Sequence, residues 1–103
     1  MRGPGAARLL ERALLKSASE AGAAIVLTHH RATEWHSATF SGLHHEIMGE
    51  TAGGGGFCRW LEKLPEADLP LPGHLVADIA VVAIERGATG IGFTLEALTV
   101  EES

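Results

Sequence analysis

The sequence predicts a single α+β domain, in which a four-stranded, largely antiparallel sheet carries two helices mainly on one face. Three observations lead to this prediction. The chain has 103 residues, a length that suits one hydrophobic core. Its first segment has apolar residues at helical spacing, and four later segments rich in apolar residues form two pairs around a second short helix. The predicted order along residues 1–103 is therefore α-β-β-α-β-β.

The first helix is predicted over residues 6–21, where apolar residues recur every three or four positions and charged residues lie opposite them. Pro4 suits the entrance of a helix, and Gly22 suits the position just beyond its last turn. We expect this helix to cover one face of the sheet and residues 1–5 to be flexible.

The first pair of strands is predicted over residues 24–31 and 35–48, which are rich in threonine, valine, isoleucine and phenylalanine. The connection between them lacks glycine, proline and asparagine, so it is a weak turn signal. With residues 33–34 at the tip, Arg31 would lie opposite His36, on a face that begins apolar and ends cationic.

Glycine and proline mark the middle of the chain. Gly42 indicates a bulge or bend in the second strand. Residues 53–56 are four glycines and are expected to form a joint before a second helix over residues 57–64. The proline-rich residues 65–73 are expected to form an extended loop. The one cysteine, Cys58, lies on this helix and is expected to be a buried thiol.

The second pair of strands, over residues 74–85 and 91–100, is joined by a five-residue loop with two glycines. Strict alternation of side chains predicts a core face and a second face that is more apolar than a solvated face needs to be. A strand that is apolar on both sides must be covered on both sides, and only two helices are available. We therefore expect the second face to be a homodimer interface. The predicted core face carries Leu75, Ala77, Ile79, Val81, Ala83, Phe93, Leu95 and Ala97, and the candidate interface residues are Val76, Ala80, Val82, Ile84 and Leu98.

Composition and charge exclude several classes of function. The net charge of -5 disfavours nucleic acid and anionic lipid as partners. Residues 1–31 hold five basic and two acidic side chains, so the charge is uneven and could guide self-association. No run reaches the roughly 18 apolar residues of a membrane span. One cysteine allows no internal disulfide, which favours a reducing, cytoplasmic compartment.

Six histidines, at positions 29, 30, 36, 44, 45 and 74, are many for this length. Imidazole binds transition metals and titrates near neutral pH, so histidines on neighbouring strands are candidates for a ligand site. The candidate pocket on the first hairpin comprises His29, Arg31, His36 and His44, with the arginine as an anion clamp. No HExxH motif and no pair of cysteines accompanies them, so no catalytic residue, metal site or cofactor is predicted.

Three stretches of the sequence resemble a group of short bacterial proteins for which no activity is assigned. They are residues 37–42 (SATFSG), residues 71–78 (LPGHLVAD) and residues 95–101 (LEALTVE). The resemblance covers most of the chain after the first helix. It implies a soluble bacterial domain and transfers no catalytic residues.

The sequence thus favours a small, non-catalytic, soluble domain that forms a homodimer through an exposed sheet face. The alternative belongs to a different class. It is a protein or enzyme that binds a small molecule, an anion or a metal at the histidine and arginine site of the first hairpin.

Overall fold

A four-stranded antiparallel sheet carries two helices in the computed structural model, which describes residues 5–102. The strand order is β1-β2-β4-β3, so β1 and β3 are the edges. The predicted fold class and element order are confirmed, whereas the flexibility predicted for residues 1–4 lies outside the described residues. In chain order the elements are helix α1 (Ala6–Glu20), strands β1 (Ile25–His36) and β2 (Ser41–Thr51), helix α2 (Gly55–Lys63), a 3₁₀ turn (Leu64–Glu66), and strands β3 (His74–Arg86) and β4 (Ile91–Glu101).

The hydrophobic core lies between the sheet and the two helices, on what we call the helix face; the opposite side of the sheet is the outer face. The rings of Phe57 and Trp60 on α2 pack around Phe93 of β4, with centroids 5.5 and 5.8 Å from its ring. The indole N–H of Trp60 also donates a hydrogen bond to Ser17 Oγ at 3.1 Å, which joins the two helices. Burial of each large apolar side chain contributes about 2 kcal/mol. The core includes Leu10, Leu14, Ala18, Ile47, Phe57, Trp60, Leu64, Ile79, Phe93, Leu95 and Ala97.

The first hairpin turns at residues 37–40, so the predicted tip at residues 33–34 is wrong. Ser37 closes the turn by itself: its N–H donates to the Phe40 carbonyl at 2.8 Å, and its hydroxyl oxygen accepts from the Phe40 N–H at 2.9 Å. A serine hydroxyl can replace the usual turn residues in this way. The shift in register changes every predicted partner, and Arg31 lies opposite Glu46 rather than His36.

Gly42 lies in a regular stretch of ladder, with Trp35 opposite it on one side and Val100 on the other, so the predicted bulge there is absent. The glycine is needed for a different reason. A Cβ at this position would overlap the Thr99 carbonyl oxygen and lie 2.9 Å from Trp35 Nε1. The indole ring and the neighbouring strand therefore occupy the space of a side chain.

The second hairpin has the predicted loop, but two bulges in β3 change which side chains share a face. The register shifts between Val76 and Asp78 and again between Val81 and Ala83. Each bulge adds an unpaired residue and so reverses the alternation that follows it. Residues directly opposite each other on neighbouring strands share a face. Val100 lies on the outer face, so Leu75, which is opposite it, lies there too. The predicted core face is right for Ile79, Val81, Phe93, Leu95 and Ala97 and wrong for Leu75 and Ala83.

The glycine-rich joint adopts a defined conformation. Gly53 and Gly54 have φ angles of 94° and 111°, which favour glycine, and α2 begins at Gly55, two residues before its predicted start. Gly56 touches the end of α1, since a Cβ there would lie 2.5 Å from the Gly22 carbonyl oxygen. Cys58 is exposed, contrary to the prediction, because it faces away from the apolar stripe of this helix.

We predict opposite effects for two adjacent substitutions in α2. Gly56→Ala should destabilise the fold by about 1–3 kcal/mol, because the added methyl meets backbone that cannot easily move. Gly55→Ala should stabilise it by up to about 1 kcal/mol, because its methyl would meet only the flexible end of Arg59 at 3.3 Å. Urea unfolding of both variants measures the difference. Equal effects would show that α2 does not depend on this close approach.

Candidate functional site

The four residues of the predicted ligand pocket lie on both faces of the sheet. His29, Arg31 and His44 are on the outer face, opposite Met48, Glu46 and Thr33 respectively. His36 is on the helix face, opposite Ser41, and its Nδ1 lies 3.1 Å from the serine Oγ. The structure therefore brings three of the four to one surface and places His36 on the other.

A chain of hydrogen bonds on the helix face joins four side chains that the sequence analysis did not group. His30 Nδ1 lies 2.6 Å from Glu11 Oε2, and His30 Nε2 lies 2.8 Å from His45 Nδ1. His45 Nε2 in turn lies 2.9 Å from Thr99 Oγ1. We call Glu11, His30, His45 and Thr99 the polar chain.

Four different elements position the polar chain. His30 and His45 are diagonal neighbours on the helix face, because His45 is opposite Ala32, two residues beyond His30 along β1. The facing surface of α1 presents Glu11, and β4 presents Thr99. The chain therefore forms only when α1, β1, β2 and β4 are all in their native register.

Burial increases along the polar chain. The Glu11 side chain retains 39% of its accessible surface and that of His30 retains 9%, whereas His45 is fully buried and Thr99 is 1% exposed. Burial, and to a smaller extent the positive charges of His30, His44 and His74, together lower the pKa of His45 from 6.5 to about 4. At neutral pH His45 is an uncharged donor and acceptor inside the core.

A small open pocket, lined by both polar and apolar groups, adjoins the buried end of the polar chain. Its volume is about 190 Å³, and it lies between the start of α1 and the hairpin end of the helix face. Glu34 Oε2 is 3.8 Å from His36 Nε2 at its rim. The cavity is lined by Ala6, Glu34, His36, Ser41, Gly42, Leu43, His74, Thr99 and Glu101.

No group of three or more histidine, cysteine, aspartate or glutamate side chains within residues 5–102 is arranged to hold a metal ion. Within the same range, every helix is too short or too polar to cross a membrane.

The outer face is uncovered by either helix and has an apolar end and a charged centre. At the end, Trp35, Val100 and Leu75 form a row across the sheet, interrupted by Gly42. Leu75 is 57% exposed. The indole nitrogen of Trp35 is buried and has no hydrogen-bond partner among the described residues.

The charged centre of the outer face joins three strands. Arg31 is opposite Glu46, which is itself opposite Glu96 on β4. His44 Nε2 lies 3.4 Å from Glu96 Oε1. The row is completed on β3 by Ala80. Positive charge thus lies towards the β1 edge of the face and negative charge towards β4.

The bulges in β3 also redistribute the candidate interface residues. Ala80 and Leu98 lie on the outer face, as expected. Val76 packs against the core, and Ile84 is opposite Phe93, so both lie on the helix face instead. Val82 is 50% exposed and lies in the second bulge.

The polar chain was missed because histidines were grouped by a wrong register. The sequence contains two adjacent pairs, residues 29–30 and 44–45, and alternation along a strand sends one member of each pair to each face. This signal was available before the structure. What it could not show was which member of each pair faces the helices.

The comparisons with known proteins return no relatives: no family model, curated protein or solved structure matches the chain.

Because His45 is buried and uncharged, we predict that acid destabilises the fold. Between about pH 6.5 and 4 the unfolded chain takes up a proton at His45 and the folded chain does not, so the free energy of unfolding falls as pH falls. The depressed pKa corresponds to a loss of up to about 3 kcal/mol. His45→Gln should unfold with a flatter pH dependence in urea titrations at pH 7 and pH 4.5.

His44→Gln is the matched control, because His44 is the preceding residue and lies exposed on the outer face. It should keep most of the pH dependence of the unsubstituted protein. An unchanged slope in His45→Gln would contradict the assignment of this acid sensitivity to His45.

Proposed function

We propose that the protein is a small, non-catalytic domain that acts as a homodimer, joined face to face through the outer faces of its two sheets. The observation that carries the proposal is the uncovered outer face, with its apolar end at Trp35, Leu75 and Val100. Both helices pack on the other side of the sheet, so this surface meets no other part of the described chain.

The exposed apolar side chains support the proposal that another protein surface covers the outer face. Leu75 is 57% exposed and Met48 is 42% exposed, and Leu98 lies between them, partly buried. Large apolar groups that share one surface are a mark of protein interfaces. A second sheet would remove them from water.

The size of the outer face suits a stable dimer. Four strands about 4.8 Å apart, each about eleven residues long at about 3.3 Å per residue, span roughly 700 Å². Each partner in a standard protein–protein interface contributes about 800 Å². One copy of this face is therefore large enough to hold another.

The charges on the two edge strands favour a second copy as the occupant and indicate its orientation. On the outer face, β1 carries Arg31, and β3 carries Asp78 and Glu85. A two-fold axis parallel to the strands would place β1 of each copy over β3 of the other, so that Arg31 lies over the strand that carries Asp78 and Glu85. The same axis places Glu46 on β2 over the strand that carries Glu96. An axis perpendicular to the strands would instead place β1 over β1 and bring like charges together.

The proposal includes the cellular compartment of the dimer and the classes of partner that it does not bind. The resemblance to short bacterial proteins and the single cysteine both support a reducing, bacterial cytoplasm. The net charge of -5 argues against nucleic acid and anionic membranes as partners. The ligand site proposed as an alternative has less support, because His36 is separated by the sheet from His29, Arg31 and His44.

The first test is the mass of the protein in solution, measured by light scattering after size-exclusion chromatography. The unsubstituted protein should have about twice the chain mass of 10.8 kDa. Leu75→Glu should give a monomer, because it places a charge at the apolar end of the interface. Leu15→Glu is the matched control: Leu15 is 41% exposed but lies on α1, so this variant should remain a dimer.

A monomeric unsubstituted protein at 100 µM, a high concentration for such a test, would refute the proposal. So would a dimer that Leu75→Glu leaves intact and folded. In that case the exposed edge strands β1 and β3 would be the next surfaces to examine.

A charge-reversal pair tests the orientation of the dimer. Arg31→Glu should weaken association by repulsion from the acidic β3 edge of the second copy, and Asp78→Arg in the same chain should restore it. Sedimentation velocity at 50 mM and 500 mM salt measures both effects. If the double variant associates no better than Arg31→Glu alone, the parallel axis is wrong.

A further inference from the structure

The polar chain has an unusual property: its hydrogen bonds can all be made in two ways. Its heavy atoms are 2.6, 2.8 and 2.9 Å apart in succession. It ends at Thr99, whose Oγ1 is also 3.5 Å from the Leu43 carbonyl oxygen. Each imidazole has one nitrogen towards each neighbour, and a neutral imidazole donates from one nitrogen and accepts at the other.

In the first arrangement both histidines are neutral. His30 Nδ1–H donates to the Glu11 carboxylate, and His30 Nε2 accepts from His45 Nδ1–H. His45 Nε2 then accepts from the Thr99 hydroxyl. Every donor has an acceptor.

In the second arrangement the chain holds one more proton, on His30. Its Nδ1–H still donates to Glu11, and its Nε2–H now donates to His45 Nδ1. His45 must then donate from Nε2 to Thr99 Oγ1, and the Thr99 hydroxyl turns to the Leu43 carbonyl oxygen. The difference between the two arrangements is a single proton taken from solvent, and again every donor has an acceptor.

A second additional proton does not fit. It would place N–H groups on both His30 Nε2 and His45 Nδ1, which point at each other across 2.8 Å. The other titratable neighbours also oppose charge on His45, since His44 of β2 and His74 of β3 add positive charge when protonated. The buried residues contributed by α2, Phe57 and Trp60, are apolar, and the one carboxylate of the polar chain, Glu11, bonds His30.

We propose that Glu11, His30, His45 and Thr99 form a one-proton switch. Uptake of a proton by His30 reverses the two hydrogen bonds beyond it, and His45 changes from its Nδ1–H tautomer to its Nε2–H tautomer while staying neutral. The proposal is independent of the dimer, because the polar chain lies on the helix face.

The switch connects the surface of α1 with this pocket. At one end, protonated His30 and the Glu11 carboxylate form an ion pair that holds α1 against β1. At the other end, Thr99 is one of the residues that line the 190 Å³ pocket, and its hydroxyl changes direction with the same proton. Proton uptake by His30 thus adds an ion pair between helix and sheet, whereas the buried, neutral His45 is the group that makes the fold less stable in acid.

The test is a pH titration of ¹⁵N-labelled full-length protein by long-range ¹H–¹⁵N correlation spectroscopy, which distinguishes the two neutral tautomers from the charged imidazolium. From pH 8 to pH 5, His30 should become charged and His45 should exchange its tautomer at one common midpoint. His29 is the internal control, because it is exposed on the outer face and should titrate without a tautomer exchange.

Two outcomes would overturn the proposal. One is a His45 that keeps a single tautomer while His30 becomes charged. The other is a His45 that becomes charged in the same pH range as His29. Both are read from the unsubstituted protein, so the test does not depend on a variant that folds.

A pair of α1 variants tests the role of the carboxylate. Glu11→Gln should move the common midpoint to lower pH, because it removes the negative charge that favours protonated His30. Glu20→Gln, at the far end of the same helix, should leave the midpoint unchanged. An equal effect of the two variants would show that Glu11 acts only through the general charge of the helix.

Discussion

A four-stranded sheet has two faces, and the two helices of this chain cover one of them. This constraint governs the remaining structure. On the helix face, apolar residues from α1, α2 and three strands form a core around Phe93 and Leu95. On the outer face, charged residues alternate with exposed leucine, methionine and valine. Neither of the two helices of the monomer covers the outer face, and a second copy of the chain is the simplest way to cover it.

The polar chain is the exception within the core, and it imposes a condition on the whole fold. A buried polar group costs free energy unless it is hydrogen-bonded. His45 is fully buried, so it depends on its bonds to His30 on β1 and Thr99 on β4. A slip of one residue in either strand pairing would break these bonds. The same side chains that permit proton uptake therefore also disfavour alternative registers.

Side-chain alternation divides the histidines between two different environments. His29 and His44 lie on the outer face among charges that a dimer would bring together, whereas His30 and His45 lie on the helix face within the polar chain. The proposed dimer and the proposed switch therefore involve different histidines, those of the outer face and those of the core respectively. The two can be separated experimentally, because only the second involves tautomer exchange at a buried ring.

The sequence by itself determined the class of the fold, the order of its elements and the position of the second hairpin loop. These depend on short-range features: the three-to-four spacing of leucine and alanine in α1, and the two glycines near residue 90. Such signals lie within one element, so a single sequence displays them. The sequence also indicated that the sheet would have an uncovered face.

Only the tertiary structure decided which side chains meet. The turn at residues 37–40 depends on the Ser37 hydroxyl rather than on a glycine, and the two bulges in β3 have no glycine or proline to mark them. The turn changes every partner along the first hairpin, and each bulge reverses the facing of the residues beyond it, because side chains alternate with a period of two. The polar chain contains contacts between residues up to 54 positions apart, that of His45 with Thr99 being the longest, and it depends on all of these registers at once.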